Sequence, residues 1–358
     1  MKHRLLHILF IGAVFLSLTA CIRDEGNTEL CRNEKVQVVF TLALDNEAQT
    51  RAPGDWTPGD YDPSELGDGY ENHIEPGSLQ VALYNTDNTF LTHVENLSYY
   101  QTGQINVYRF VGEVQVDKLQ NNNLSCKVMV LANVANTLDN AANLSEFTFT
   151  RANTYIPLWG VKTVNTALTL DTYTDLGVIY LLRAMAKVEV ILSDEVAAYT
   201  LDNVSFDRYN DSGYCLPTGY NITANTENLS VEGCLRIPTQ TAVSTPLAFR
   251  KDENNARRFF IYVPEFLNVG VADDAQSSLT VVLQPANTEE EGKTYTIRFA
   301  EYGDDGKPTA NALNIVRNHL YRFHITNVTV DIESGKIKTD IYTSVKLWNF
   351  VDLTPGYE

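Results

Sequence analysis

The chain reads as an all-β protein: two β-sandwich domains behind a flexible N-terminal segment. Three observations lead there. Apolar residues recur mainly at period two, in short runs rich in β-branched and aromatic side chains; Asn, Asp, Gly and Thr separate the runs; and long amphipathic helical stripes are hard to find. Alternation at period two places one set of side chains on one face of a strand, and branched or aromatic residues suit that pleated, half-buried surface. Closely spaced strands without intervening helices argue for sandwiches. At 358 residues the chain exceeds one ordinary core and divides into two domains.

Residues 1–20 form the first element. Lys2 and Arg4 precede an apolar run over 8–18, and Leu18-Thr19-Ala20-Cys21 closes it. Basic, apolar and small residues in that order make a secretory signal, and the run is too short for a membrane span. Leu-Thr-Ala-Cys resembles the bacterial lipobox, in which the cysteine is acylated and becomes the new N-terminus. Cys21 is therefore the expected lipidation residue; the competing reading is an ordinary signal peptide with a coincidental cysteine. Losing Lys2 and Arg4 with the signal moves the formal net charge from −18 to −20. That surface argues against nucleic acid and anionic headgroups as partners and leaves membrane affinity to acyl chains.

Residues 21–51 read as a propeptide carrying one strand. Val36, Val38, Phe40, Leu42 and Leu44 share a face, with Gln37, Val39, Thr41 and Ala43 on the other. Over 50–77 come Pro53, Pro58, Pro63 and Pro76 with Gly54, Gly59, Gly67, Gly69 and Gly77, among many acids. Such a stretch cannot propagate a sheet and has little to bury, so an exposed, mobile loop is expected. Arg51 at its edge is where a trypsin-like protease would cut.

The first sandwich is expected over 52–176, with strand runs at 79–84, 107–116 and 127–131. The boundary falls at 175–178, where a Thr/Asp-rich stretch gives way to a long strand over 179–192. The second sandwich is expected over 177–336, with runs at 259–263, 279–283, 295–299 and 321–330 and a short helical turn or two over 310–318. No internal repeat is obvious at the level of residues. In the closing segment, 337–358, Ile337, Ile341, Val345 and Leu347 share a face with Thr339 and Thr343.

Little chemistry is legible. Beyond Cys21 the cysteines are Cys31, Cys126, Cys215 and Cys234. Export permits disulfides, and Cys215 with Cys234 could staple a hairpin or loop, but four cysteines allow three full pairings and sequence does not choose among them. No spacing resembles a zinc or calcium site. His319 and His324 lie five apart and would point to opposite faces of a strand. No nucleophile elbow, phosphate loop or dinucleotide motif occurs. The expectation is a non-enzyme with no catalytic residues, metal or cofactor.

Five short motifs carry a resemblance: Val130-Leu131-Ala132-Asn133; Ile156-Pro157-Leu158-Trp159-Gly160; the run over 182–190, Leu-Arg-Ala-Met-Ala-Lys-Val-Glu-Val; Tyr262-Val263-Pro264-Glu265; and Arg317-Asn318-His319-Leu320-Tyr321. Their order and spacing, across most of the mature chain, resemble the Bacteroidales fimbrillin family, the subunits of lipoprotein-derived (type V) pili. Arg51-Ala52-Pro53-Gly54 followed by the run over 79–85 resembles the maturation region of shaft-forming members. The resemblance implies two transthyretin-like Greek-key sandwiches, a lipid-anchored precursor at the outer membrane, an arginine-specific protease acting between Arg51 and Ala52, and fimbrial subunits as partners. Residues 21–25, with Cys31 ten on, also look like the start of anchor-type relatives, which are not cleaved.

A mechanism fits these elements. If cleavage released 36–44, the vacated groove would expose apolar side chains and unpaired backbone groups, a template for another chain. The segment over 337–347 has similar length and alternation, so it could fill a neighbour's groove as a donor strand. Its four apolar side chains would contribute about 1.5–3 kcal/mol each before ordering costs, and head-to-tail insertion gives an open filament. The competing reading is simply the last strand of the second sandwich; the resemblance tips the choice to the donor. An uncleaved anchor or a tip subunit, and a monomeric glycan-binding surface lipoprotein, are the rival functions.

Overall fold

The computed structural model describes residues 35–44, 69–87, 89–101, 107–115, 123–139, 146–152, 154–167, 172–217, 243–286, 290–303, 307–330 and 337–347. In the first half the alternating runs become β1 (Lys35–Ala43), β2 (Gln80–Tyr84), β3 (Phe90–His93), β4 (Glu95–Gln101), β5 (Val107–Gln115), β6 (Asn123–Ala132), β7 (Thr148–Thr150), β8 (Leu158–Ala167), β9 (Thr174–Tyr180) and β10 (Leu182–Arg183). The second half supplies β11 (Ala186–Leu192), β12 (Tyr199–Asp207), β13 (Ser212–Tyr214), β14 (Leu247–Ala248), β15 (Arg250–Lys251), β16 (Arg258–Val263) and β17 (Ser278–Pro285). It ends with β18 (Lys293–Arg298), β19 (Ala300–Tyr302), β20 (Pro308–Ala312), β21 (His319–Val330) and β22 (Ile337–Leu347).

These strands make an all-β fold of two sandwiches. In the first, a sheet ordered β4-β5-β1-β9 faces one ordered β10-β8-β6-β2-β3. Their apposed faces enclose a core in which Val36, Val38, Phe40, Leu42 and Leu44 meet Val81, Leu83, Val128 and Val130. In the second, β15-β16-β11-β21-β22 faces β14-β12-β17-β18, around Val188, Val190, Phe206, Val281, Phe299 and Phe323. A third apolar cluster covers the outer face of β2, β6 and β8 with Ala82, Met129, Leu131 and Trp159, and reaches Met185, Cys215 and Tyr262. The sandwiches are thus joined through burial.

The two halves repeat one topology. β1 pairs antiparallel with β5 and parallel with β9, as β11 does with β16 and β21. β4 flanks β5 as β15 flanks β16. The facing sheets run β3-β2-β6-β8 and β14-β12-β17-β18, antiparallel throughout. Outside the small sheets formed by β7 with β13 and β19 with β20, two strands among the described residues lack a counterpart: the two-residue β10 and the C-terminal β22.

Three sequence expectations are revised. The run over 179–192 is not one strand: it breaks at Leu181 and again at Ala184-Met185 as the chain passes between sandwiches. The helical turn expected over 310–318 is absent; β20 extends to Ala312, and Ile315 bridges to Phe266 through mutual backbone hydrogen bonds of 2.9 Å. The end of the proline-rich stretch, read as exposed loop, forms a helical turn at Gly69–Asn72 and a 3-10 turn at Pro76–Ser78. Glu71, Asn72 and Ile74 there are buried, and Asn133 pins the following backbone, donating to the carbonyls of His73 (2.7 Å) and Ile156 (2.8 Å) and accepting from the Glu75 N–H at 3.0 Å.

Candidate functional site

β1 is the first component of the site. It lies between two neighbours, so both rows of its backbone groups are paired. Its apolar face, Val36, Val38, Phe40, Leu42 and Leu44, is at most 1% exposed, and Phe40 stacks on its register partner Phe110 at 5.5 Å between centroids. On the opposite face Gln37 is exposed and Thr41 half-buried, while Val39 and Ala43 are covered. At the start of the strand, Lys35 bonds Glu95 at 2.8 Å and Glu113 at 3.3 Å on the surface. At its end, the Leu181 N–H donates to the Ala43 carbonyl at 2.7 Å, and Arg183 Nη1 donates to the Leu44 carbonyl at 3.2 Å.

Arg183 belongs to a buried polar junction between the sandwiches. Its Nε donates to the Glu71 carbonyl at 3.0 Å and its Nη2 to the Asn72 side chain. Nη1 and the backbone N–H both donate to Asn318 Oδ1, at 3.3 and 3.2 Å. Beside it, Glu71 accepts from Lys187 and from the Tyr262 hydroxyl (2.6 Å). Glu189, two residues on along the same strand face, bonds Arg322 at 2.9 Å and Arg258. Burial opposes the Glu189 charge, but Lys187, Arg322 and Arg258 outweigh it and bring the carboxyl down to about 2.

A second buried pair sits below β21. Arg317 Nη2 meets Glu265 Oε2 at 2.8 Å and also donates to the Tyr214 carbonyl at 3.0 Å, while Nη1 donates to that of Cys215 at 2.9 Å. The Nδ1 of the next buried side chain, His319, lies 2.6 Å from the Arg317 carbonyl; burial pushes its imidazole down to about 4.

β22 is the other component. It forms the edge of its sheet and pairs antiparallel with β21, from His319 opposite Leu347 to Val330 opposite Ile337. Ile341 and Val345 fall opposite Ile325 and Tyr321, and the register shifts between Ile325 and Asn327. Residues 337–347 therefore pair with their own sandwich in this chain. Cys21, Arg51, Ala52, Cys31 and Cys234 lie outside the described residues. Cys215 and Cys126 are free, buried thiols, and burial pushes both up to about 12; the Cys215 sulfur is unbridged here.

The structure also gathers residues that sequence reasoning treated one by one. Asn133, Arg183, Lys187, Glu189, Tyr262, Glu265, Arg317 and Asn318, drawn from four of the five motifs, all join hydrogen-bonded clusters around the passage between sandwiches. Glu71 and Asn72 complete them from a stretch with no sequence signal for burial. Among the described residues no three His, Cys, Asp or Glu converge on a metal-sized site. An open cleft of about 260 Å³ is lined by His73, Ile74, Pro76, Tyr99, Tyr108 and Phe110.

No protein-family model matches the chain, and no curated protein matches it in sequence. Among solved structures, a candidate cell adhesion protein from Parabacteroides distasonis is similar with a TM-score of 0.51 at 17% identity, over 89% of this chain and 98% of that one. That likeness is one of fold. The tip fimbrial protein Mfa3 from Porphyromonas gingivalis, C-terminally truncated, gives 0.49 at 13% identity over 88% and 100%. A fimbrial assembly protein from Parabacteroides distasonis gives 0.42 at 12% over 86% and 100%.

Proposed function

We propose that this chain is a structural subunit of a cell-surface fimbria, exported as a lipoprotein on Cys21, matured by an arginine-specific protease between Arg51 and Ala52, and polymerised by strand exchange in support of adhesion. On this reading residues 21–51 are the propeptide and 337–358 the donor segment, and the two sandwiches between them meet at the Ala184-Met185 break rather than at 176–177, because β9 and β10 belong to the first. The precursor is held at the outer membrane by its acyl chains, and the polymer stands on the cell surface. The carrying observation is the repeated topology: β22 is the one long strand among the described residues with no counterpart in the other half. An edge strand is held by one ladder, so β22 can leave without breaking any strand pairing of the repeated topology. β1 is the complementary case, a central strand whose loss would leave an apolar slot with unpaired ladders on both sides. The fold shared with a candidate cell adhesion protein accords with this role.

The test is to compare the wild type with Arg51→Ala, reading the N-terminus by mass spectrometry and assembly by electron microscopy. Polymer beginning at Ala52, and its absence in the variant, is the expected result. Filaments built from uncleaved chains, or an acylated Cys21 as the sole N-terminus, would turn the reading to an anchor or tip subunit. One observation favours a second class, a monomeric glycan-binding lipoprotein: the aromatic cleft beside Tyr99, which is 47% exposed. A glycan-array signal that persists in purified monomer and is lost in Tyr99→Ala would support it.

A further inference from the structure

Four segments distant in sequence meet at one guanidinium. Arg183, fully buried on β10, shares Nη1 between the Leu44 carbonyl at the end of β1 (3.2 Å) and Asn318 Oδ1 (3.3 Å), while its other donors hold Glu71 and Asn72. Asn318 is no passive acceptor. Its φ is +56°, its N–H donates to the Met185 carbonyl at 2.8 Å, and its Oδ1 takes a second bond from the Arg183 N–H at 3.2 Å. It is the last residue before β21, and His319, the first residue of that strand, pairs with Leu347 at the far end of β22. The end of the first strand and the end of the terminal strand are therefore linked through two side chains, one from each half.

We propose that Arg183 and Asn318 form a latch that couples occupancy of the β1 position to retention of β22 on β21. With β1 seated, the guanidinium is fixed by acceptors from both halves and holds the left-handed turn at Asn318. When β1 departs, the Leu44 carbonyl goes with it. A buried guanidinium is stabilised by its acceptors, so it moves to recover one or meets water entering the slot. The Asn318 turn then loses its guanidinium donor and keeps only its backbone ties to Arg183 and Met185, and β22 frays from Leu347 inward. The functional meaning rests on the reading above: the donor would become available only after the displaced strand has gone. The coupling itself needs no polymer.

Amide hydrogen exchange on the full chain, resolved to peptides, tests it as a double-mutant cycle. Phe40→Ala loosens β1, with Val38→Ala as the milder variant should the first not fold. Asn318→Gly removes the shared acceptor while keeping a residue that tolerates the positive φ. In the wild-type background, loosening β1 is expected to speed exchange over 343–347 about five- to tenfold, with 258–263 on the far side of the same sheet unchanged. In Asn318→Gly the same loosening should change 343–347 less than about twofold. Coupling is reciprocal, so Asn318→Gly alone should speed exchange over 36–44. Exchange over 343–347 that ignores β1, or responds equally in both backgrounds, overturns the latch. Neither result bears on whether cleavage precedes assembly, so this proposal and the assembly reading can fail separately.

Discussion

The two sandwiches place a central strand in the same surroundings and hold it by opposite means. β1 presents an apolar inner face and an outer face of Gln37, Val39, Thr41 and Ala43 that carries no charge: Gln37 is exposed, Thr41 half-buried, and Val39 and Ala43 are covered. Its ties are the surface pairs of Lys35 and two hydrogen bonds at its far end. β11 has an equally apolar inner face, but its outer face carries Lys187 and Glu189, both buried and bonded to Glu71, Arg258 and Arg322. One position in a sheet can thus hold a strand that any well-matched apolar segment could replace, or one that only its own sequence satisfies. Shape and alternation specify the first; charge pairing adds identity to the second.

Removing the side chain that anchors each strand breaks this contrast most directly. Phe40→Ala should cost about 3–5 kcal/mol, as for a buried aromatic ring, and Glu189→Ala about 3 kcal/mol, because it takes a counter-charge from the buried Lys187, which keeps Glu71, and from the part-buried Arg258 and Arg322. Unfolding followed with probes in each half should place the first loss in the first sandwich and the second in the second. A Glu189→Ala protein as stable as wild type would remove the contrast.

Acid provides the next test. His319 titrates at about 4 in the fold against an ordinary 6.5, so between those values the unfolded chain binds a proton that the native chain does not. Its contribution is complete above pH 6.5 and lost as pH falls toward 4, on the order of 3 kcal/mol. Glu189, brought from 4.5 to about 2, contributes above pH 4.5 and loses that contribution as pH falls toward 2. Both lie in the second sandwich, which should loosen first on acidification. His319→Gln should flatten the pH dependence of its unfolding midpoint between 6.5 and 4.

A smaller effect is expected from deleting 337–358. Because β22 is an addition to a repeated topology, the remaining second sandwich should unfold cooperatively, with protection kept over 186–192 and reduced over 319–330. Global unfolding would instead make β22 integral to its core. Lys35→Ala should matter least. Its ion pairs are solvent-exposed, and the unfolding midpoint should stay within error of wild type, since such pairs contribute little.

Much of this fold is legible in the residues. The alternation over 36–44 marks a strand with one buried face, and the structure puts that face in the core. The pattern over 337–347 marks a strand equally well, yet alternation says nothing about which neighbour it pairs with, and that is set by non-local geometry. The repeated topology is hidden because strand order depends on spatial pairing, whereas the shared requirement on sequence is only apolar alternation. The acceptors that complete the junction are hidden for another reason. Glu71 and Asn72 sit among prolines, glycines and acids, a composition that reads as solvated loop, and their burial depends on donors from Arg183, Lys187 and Tyr262 far along the chain. Gly160 shows what a motif residue is for: a Cβ there would collide with the Tyr180 carbonyl, so the closing approach of β8 to the end of β9 requires its absence.

The difference between a central and an edge strand has a mechanical consequence. A pull along β1 is resisted by ladders on both sides, which slide together and must yield together. A pull on the end of β22 opens its single ladder one rung after another, like a zipper. A segment that is easily peeled from an edge becomes hard to extract once it occupies a central slot, with no change in its own sequence. Fibres assembled from such joints would withstand tension while their subunits release the joining strand under far smaller forces.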